Sequence, residues 1–338
     1  MKHVAVLLPL LALGLLGACQ RDARPPETPE AARIETPAPP PFDPMAFLPA
    51  ETFALVRLDV SRIIASPYFE WAQEIIDREA QDEPEKTEAF LALVRSMPTA
   101  YVALVPGEYE PELGLVLFQT TLPGPEFHRH FVTLTDEEDI VPTTVGGLEA
   151  YGDDQGTFVH LEDTWWAVGE TEKMPGYVMS PGRAPALADP RWTHAHERVA
   201  LPAPMVDALV LGTEAGRRML LDSPLGPDAQ KVEALALEID ATNGVQAHFV
   251  LMANEPELPQ RLVGLVNAQI QEGMERIPPF IPVRDILNRT TVVAEGNDFV
   301  FEIDVPDETV RQVYGMARGF LGLLGSPPDQ ATEAPPAP

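Results

Sequence analysis

Hydrophobic residues in the last third of the chain follow two clear periods. Leu235, Leu237 and Ile239 alternate with polar or small residues, and the pair Asn243-Gly244 comes directly after them. Alternation with a period of two is typical of a strand that is buried on one face. Asn-Gly between two such stretches is the strongest short-range signal for a β-hairpin. A long amphipathic helix is predicted next, because apolar residues recur at helical spacing: Leu258, Leu262, Leu265, Val266, Ile270, Met274 and Ile277.

The same two periods recur along the rest of the chain between residues 47 and 324. A second hairpin is predicted around Gly296-Asn297, and Asp307 is a suitable N-cap for a last amphipathic helix. Further strands are predicted at residues 53–59, 100–105, 113–119, 148–151, 158–161 and 165–168, and helices at 69–76, 87–95 and 127–134. Hairpins interleaved with helices indicate an α+β fold: antiparallel sheets with long amphipathic helices packed on one side.

Two stretches of the chain begin in the same way. Leu48-Pro49-Ala50 precedes a strand, a short helix and Ser66-Pro67, and Leu201-Pro202-Ala203 precedes the same elements and Ser223-Pro224. The order of the later elements also agrees, which favours a duplication into two lobes. Coincidence is the alternative, because such short motifs are weak evidence.

Composition divides the chain into five segments. Residues 1–18 have the pattern of an export signal, and residues 19–46 form a proline-rich tether that cannot make a helix or an inner strand. Residues 47–200 and 201–324 are predicted as N-terminal and C-terminal α+β lobes. Residues 325–338 are predicted to be a disordered proline-rich tail.

The first segment indicates where the protein resides. Val4 to Leu16 is apolar but shorter than the roughly 20 residues needed to cross a membrane, and Lys2 precedes it. Leu16-Gly17-Ala18-Cys19 resembles the lipobox of bacterial lipoproteins. That resemblance implies cleavage before Cys19, a lipid on this cysteine and, with Gln20 after it, location in the outer membrane facing the periplasm.

Charge and cysteine content exclude several classes of protein. The formal net charge of −29 argues against a nucleic-acid partner, since such proteins need a basic surface. With Cys19 as the only cysteine, no disulfide can form within the chain. We therefore expect a membrane partner only through the lipid, and an ordinary hydrophobic core.

The beginning of the globular part also resembles a known family. Leu48 to Val60, followed by Ser66-Pro67 and an amphipathic helix, is similar to a family of exported bacterial proteins catalogued as a domain of unknown function. This resemblance implies hairpins and long helices over residues 47–324. It implies no catalytic residues.

Two histidine pairs are candidates for metal ligation. On a helix, His128 and His130 would point about 200° apart and could not share an ion. His194 and His196 could share one if the chain were extended there, with two carboxylates nearby, Asp189 and Glu197. Because zinc sites usually need three or four ligands at recognisable spacing, we predict no metal and no cofactor.

Trp165-Trp166 is the most notable pair in the globular part. Neighbouring strand residues face opposite sides, so one indole should lie in the core and the other should meet a helix, a partner or a ligand. We therefore treat Trp165 and Trp166 as a possible interaction surface. His248 falls on the polar side of its strand and is expected to be exposed.

These observations lead to two functional hypotheses. No nucleophile stands in a recognisable activating context, so the chain is not expected to be an enzyme. The first hypothesis is a lipid-anchored envelope lipoprotein that acts as a non-catalytic interaction or structural module, with an unknown envelope protein as partner. The alternative is a carrier or binding protein for a lipid or other apolar ligand, which a large apolar cavity would favour.

Overall fold

The computed structural model describes most of the globular part of the chain. It covers residues 42–79, 84–108, 110–135, 140–162, 164–179, 182, 185–221 and 223–324. The predicted signal, the lipobox with Cys19, most of the tether and the C-terminal tail lie outside the described residues.

The described strands belong to one antiparallel sheet. In chain order they are β1 (Ala54–Asp59), β2 (Thr99–Pro106), β3 (Pro111–Gln119), β4 (Val141–Val145), β5 (Leu148–Gly152), β6 (Gly156–Glu162), β7 (Trp165–Glu170), β8 (Val206–Leu211), β9 (Val232–Asp240), β10 (Val245–Ala253), β11 (Thr290–Glu295) and β12 (Asp298–Val305). Across the sheet their order is β11-β12-β10-β9-β8-β1-β2-β3-β7-β6-β5-β4.

The described helices vary widely in length. They are α1 (Val60–Ile64), α2 (Phe69–Glu79), α3 (Pro84–Ser96), α4 (Gly124–Thr135), α5 (Met174–Met179), α6 (Pro190–Val199), α7 (Glu214–Leu221), α8 (Glu257–Arg276), α9 (Val283–Asn288) and α10 (Asp307–Leu324). Short 3-10 turns occur at Pro44–Phe47, Pro185–Ala188 and Gly226–Lys231. Within the described ranges, no helix is both long and apolar enough to cross a membrane.

The two halves of the chain meet at the centre of the sheet, where β1 pairs with β8. Outward from this pair, the order β1-β2-β3-β7-β6 in the first half matches β8-β9-β10-β12-β11 in the second. A duplication would produce this equivalence. The two halves nevertheless share one continuous sheet, and the proposed boundary at residues 200 and 201 stays a prediction.

Alternation along the strands gives the sheet two apolar faces. On the helical face, Leu58 and Phe118 pack with α1, α3 and α4, while Leu235 and Phe299 pack with α8. On the opposite face, Leu55 and other inward residues pack with α5, α6 and the turn at Pro44–Phe47. The prediction of an α+β fold, with the long helices on one side of an antiparallel sheet, is therefore confirmed.

Glycine turns determine the predicted hairpins. β9 and β10 join at Gly244, and β11 and β12 join at Gly296, each with positive φ (94° and 64°). Only glycine adopts this region without a steric cost. Both hairpins predicted from the sequence are present.

Candidate functional site

Helix α6 lies across the opposite face and forms the roof of the candidate site. Asp189 caps its start, because the carboxylate accepts a hydrogen bond from Arg191 N at 2.9 Å, and Pro190 occupies the first turn. The helix ends at Val199. Ala200 then adopts a positive φ of 25°, unusual for a residue with a side chain, and turns the chain sharply towards the sheet.

The helix is close to the sheet because the strand beneath it carries small side chains. Ala195 and Val199 of α6 are buried in the same cluster as Ala234 and Ala236 of β9. Alternation places Glu238 on that same face of β9. Its carboxylate therefore lies under the end of the helix, with only 2% of the residue exposed.

A row of mostly polar side chains crosses the centre of the sheet and passes through Glu238. Strand register places Arg57 opposite Tyr101 on one side and Asp207 on the other. Asp207 is opposite Glu238, and Glu238 is opposite His248. Residues in direct register share a face of the sheet. We call these five residues the transverse row.

His196 reaches down from α6 onto the two acidic members of the transverse row. Its Nδ1 lies 3.7 Å from Asp207 Oδ1 and 3.6 Å from Glu238 Oε1. The interaction with Asp207 raises the pKa of His196, and burial partly opposes this shift. About half of the His196 side chain stays exposed, so the imidazole can be reached from solvent.

Glu238 is held in place but remains electrostatically unfavourable when charged. Its Oε2 accepts a hydrogen bond from the backbone N–H of Leu201, just beyond the turn that ends α6. Burial raises the pKa of Glu238, and the Asp207 carboxylate adds to this shift. Asp207 Oδ1 is itself shielded from solvent and has no hydrogen-bond partner among the described residues.

These residues line one side of a half-open cavity of about 690 Å³, which we call the central pocket. This volume lies in the range of about 300–1,000 Å³ that is typical of small-molecule sites. Its lining combines the acidic pair, His196 and Arg57 with apolar side chains: Met45, Leu55, Tyr101, Trp192, Leu201 and Leu209.

Each candidate histidine pair lies on a helix, where residues two positions apart point in different directions. His194 and His196 are both on α6, so they point apart, and His194 bonds Asp298 at 3.1 Å instead. His128 is on α4, where its Nε2 lies 2.9 Å from Ile140 O and its ring stacks on Tyr151.

The prediction that His248 is merely exposed is wrong. It lies partly buried in the transverse row, and its Nδ1 is 2.8 Å from Val199 O. Helix α6 covers the side of β10 that the sequence pattern marked as polar.

Trp165 and Trp166 occupy opposite faces of β7. Trp166 is 2% exposed and packs on the helical face with Phe127 and Tyr151. Trp165 is partly buried, and its ring lies 6.0 Å from those of Phe42 and Tyr101. Because Trp166 is in the core, the predicted interaction surface now rests on Trp165, beside a residue that lines the central pocket.

Sequence reasoning did not select Asp207 or Glu238. His196, Asp207 and Glu238 are a group among the described residues in which one potential ligand atom from each lies within 4.8 Å of the others. The sequence did contain an indication that Glu238 is covered. Ala234 and Ala236 share its face of the strand, and small residues on one face favour close contact with a helix. No comparable signal existed for Asp207.

No family model and no curated protein matches this chain. Among solved structures, crystal form III of TP0453 is 13% identical over 81% of this chain and 98% of its own, with a TM-score of 0.47. Crystal form I of TP0453 is 14% identical over 82% and 98%, with a TM-score of 0.45. A similarity at this level carries no argument about function.

Proposed function

We propose that this protein is a lipid-anchored lipoprotein of the cell envelope, in the outer membrane facing the periplasm. Its globular part is a non-catalytic binding module, and the central pocket is its ligand site. The resemblance of Leu16-Gly17-Ala18-Cys19 to a lipobox supports the anchor. The pocket of about 690 Å³ is the observation that supports the binding module.

The lining of the pocket favours an amphiphilic ligand. Leu55, Trp192 and Leu209 would contact an apolar portion, while Asp207 and Glu238 are acceptors for a cationic or hydroxyl-bearing group. A wholly apolar ligand would leave these two carboxylates desolvated without compensation, which is costly. Of the two hypotheses from the sequence, the pocket favours the binding protein, with a polar group required on its ligand.

A second candidate function is the interaction module, and one feature of the surface supports it. Phe280, between α8 and α9, is 81% exposed, and Leu265 on α8 is 54% exposed. Large exposed apolar side chains can mark a protein-contact site when they form a contiguous patch. Helix α8 packs on the helical face, on the other side of the sheet from the central pocket.

The anchor is tested by replacing the predicted lipidated residue. Cys19→Ser should abolish incorporation of labelled fatty acid and release the protein from membranes, or stall its processing. Wild-type chain expressed in parallel is the control. Normal cleavage of the variant, with retention in salt-washed membranes, would contradict the anchor.

The pocket is tested with the fluorophore N-phenyl-1-naphthylamine, whose aromatic rings suit the apolar lining and whose amine N–H can donate to Asp207 or Glu238. The mature chain carrying Cys19→Ser is used, in detergent-free buffer. We expect saturable binding with energy transfer from tryptophan, since Trp192 lines the pocket. Trp192→Phe should reduce this transfer. Trp71→Phe is the matched control, because Trp71 stacks on Tyr314 away from the pocket.

The result separates the two candidate functions. Saturable binding, with energy transfer that Trp192→Phe reduces and Trp71→Phe preserves, supports the binding protein. Absence of saturable binding, or an equal loss in both variants, contradicts the pocket as ligand site and favours the interaction module.

A further inference from the structure

We propose that His196, Asp207 and Glu238 bind one divalent transition-metal ion of the zinc type in the central pocket. This inference deepens the proposed function, because the ion would lie in the same pocket as the ligand. Nothing in the spacing of these residues along the chain indicates a metal site. The site arises because α6 and two neighbouring strands bring the three side chains together.

The distances between the three side chains fit a four-coordinate ion. Ligands about 2.1 Å from a tetrahedral zinc ion are about 3.4 Å from one another. His196 Nδ1 lies 3.6 Å from Glu238 Oε1 and 3.7 Å from Asp207 Oδ1. Both separations are too long for hydrogen bonds but match two edges of such a coordination shell. One potential ligand atom from each of the three side chains lies within 4.8 Å of the other two.

The acidic pair favours a positive charge at the same point, which protonated His196 supplies when no ion is bound and which a metal would supply in its place. Asp207 and Glu238 are in direct register on β8 and β9, and like charges in this arrangement destabilise a sheet. Glu238 is almost fully buried, and Asp207 Oδ1 is shielded and unpartnered among the described residues. Buried carboxylates are normally paired with a cation or coordinate a metal.

The basic members of the transverse row lie outside the acidic pair. His248 is opposite Glu238 on β10, and its Nδ1 is 2.8 Å from Val199 O. Arg57 does not substitute for the ion either. It is opposite Asp207 on β1, one strand further from Glu238. The imidazole of His196 and both carboxylates therefore stay available to a metal.

The ligand types select the class of metal. Calcium and magnesium prefer six or more oxygen ligands, which three side chains with one imidazole do not supply. One imidazole and two carboxylates suit zinc and its first-row neighbours. The proposed ion is therefore of the zinc type.

The surroundings of the three ligands resemble a site with an open coordination position. The Leu201 N–H holds Glu238 Oε2, which orients Oε1 towards His196. Such outer hydrogen bonds position metal ligands. Three protein ligands leave a fourth position open to the pocket, where a polar group of a bound ligand could coordinate the ion.

The proposal is tested by calorimetric titration of Zn²⁺ into the chelator-treated mature chain carrying Cys19→Ser, which also removes the only thiol. We expect one bound ion per chain and a higher melting temperature with Zn²⁺, because an ion bound only by the native state stabilises it. His196→Gln and Asp207→Asn should each weaken binding at least tenfold. Co²⁺ bound at the site should give the intense visible absorption typical of four-coordinate geometry.

His194→Gln is the matched control. His194 lies two positions earlier on the same helix, but its side chain contacts Asp298 and not the acidic pair. It should bind Zn²⁺ as the parent chain does. Circular dichroism of each variant establishes that it is folded. No binding by the parent chain, or equal losses in the His194→Gln and His196→Gln variants, would overturn the proposal.

The metal site and the proposed function can fail independently. Zn²⁺ binding is measured with no organic ligand present, so its absence disproves the metal site alone. Failure of N-phenyl-1-naphthylamine to bind, with Zn²⁺ binding intact, disproves the apolar ligand site and leaves the metal site in place.

Discussion

Two replacements of Glu238 separate the cost of its buried charge from the value of its hydrogen bond. Glu238 is 2% exposed and accepts a hydrogen bond from Leu201 N–H, which is also buried. Glu238→Gln removes the charge and keeps an acceptor for this N–H. Glu238→Leu removes both.

The hydrogen bond determines the difference between the two variants. A buried donor left without a partner costs about 1–3 kcal/mol. We therefore expect the Leu variant to be less stable than the Gln variant by about 1–3 kcal/mol, at every pH. In a chain of this size, each kcal/mol corresponds to roughly 2–4 °C in melting temperature.

The charge determines how wild type differs from the Gln variant. Burial raises the pKa of Glu238 above its ordinary value of 4.5, so the folded state binds this proton more tightly than the unfolded state. Stability contributed by this group is therefore lost as pH rises from about 4.5 to the raised pKa. One group can change stability by at most about 1.4 kcal/mol per pH unit. The free energy of unfolding of the Gln variant should accordingly exceed that of wild type at pH 8 and approach it at pH 5.

His196 contributes a second pH effect, and the comparison cancels the larger part of it, which comes from Asp207. Its pKa is raised above 6.5 mainly by Asp207, so its contribution is lost as pH rises above about 6.5. Asp207 is present in wild type and in both variants. The difference between wild type and the Gln variant therefore reports mainly on Glu238.

The assay is urea unfolding of chelator-treated protein at pH 5, 6.5 and 8, followed by tryptophan fluorescence and circular dichroism. Equal stabilities of the Gln and Leu variants would refute the hydrogen bond to Leu201. A difference between wild type and the Gln variant that does not change with pH would refute the buried, charged state of Glu238.

Three further predictions concern packing and backbone geometry, each measured by urea unfolding. Leu258→Ala should lower the free energy of unfolding by about 2–5 kcal/mol, because Leu258 is fully buried where α8 meets the sheet. Leu265→Ala, at an exposed position of the same helix, should lower it by less than about 1 kcal/mol. Gly244→Ala should destabilise the protein by more than about 1 kcal/mol, since φ is 94° and the new Cβ would lie 2.1 Å from Val305 O; stability equal to wild type would contradict this backbone. Trp71 and Tyr314 stack at 3.7 Å, so a double-mutant cycle with alanine should give a coupling of about 0.5–1.5 kcal/mol, and zero coupling would refute the contact.

Local patterns in the sequence determined the type of most elements. Strand β9 was visible from the alternation of Leu235, Leu237 and Ile239, and the turn from Asn243-Gly244. The spacing of apolar residues likewise indicated α8. These features depend on residues close together in the chain, where backbone geometry alone sets the period. The α+β class and the placement of the long helices followed from them.

The same patterns did not determine what covers each face of the sheet. The alternating residues Ala236, Glu238 and His248 look solvent-facing in sequence, yet α6 lies over them. The strand period reports only which residues share a face. Whether that face meets water or a helix depends on packing of distant segments.

Tertiary structure alone brought together the candidate site. His196, Asp207 and Glu238 come from one helix and two neighbouring strands, and no spacing rule relates them. Their proximity depends on the pairing of β8 with β9, on the close approach of α6 and on the turn at Ala200. The sequence by itself determined the α+β class and predicted a lipid anchor, because signal motifs and periods are local. The central pocket required the fold, because its lining joins residues from the N-terminal turn, the central strands and α6.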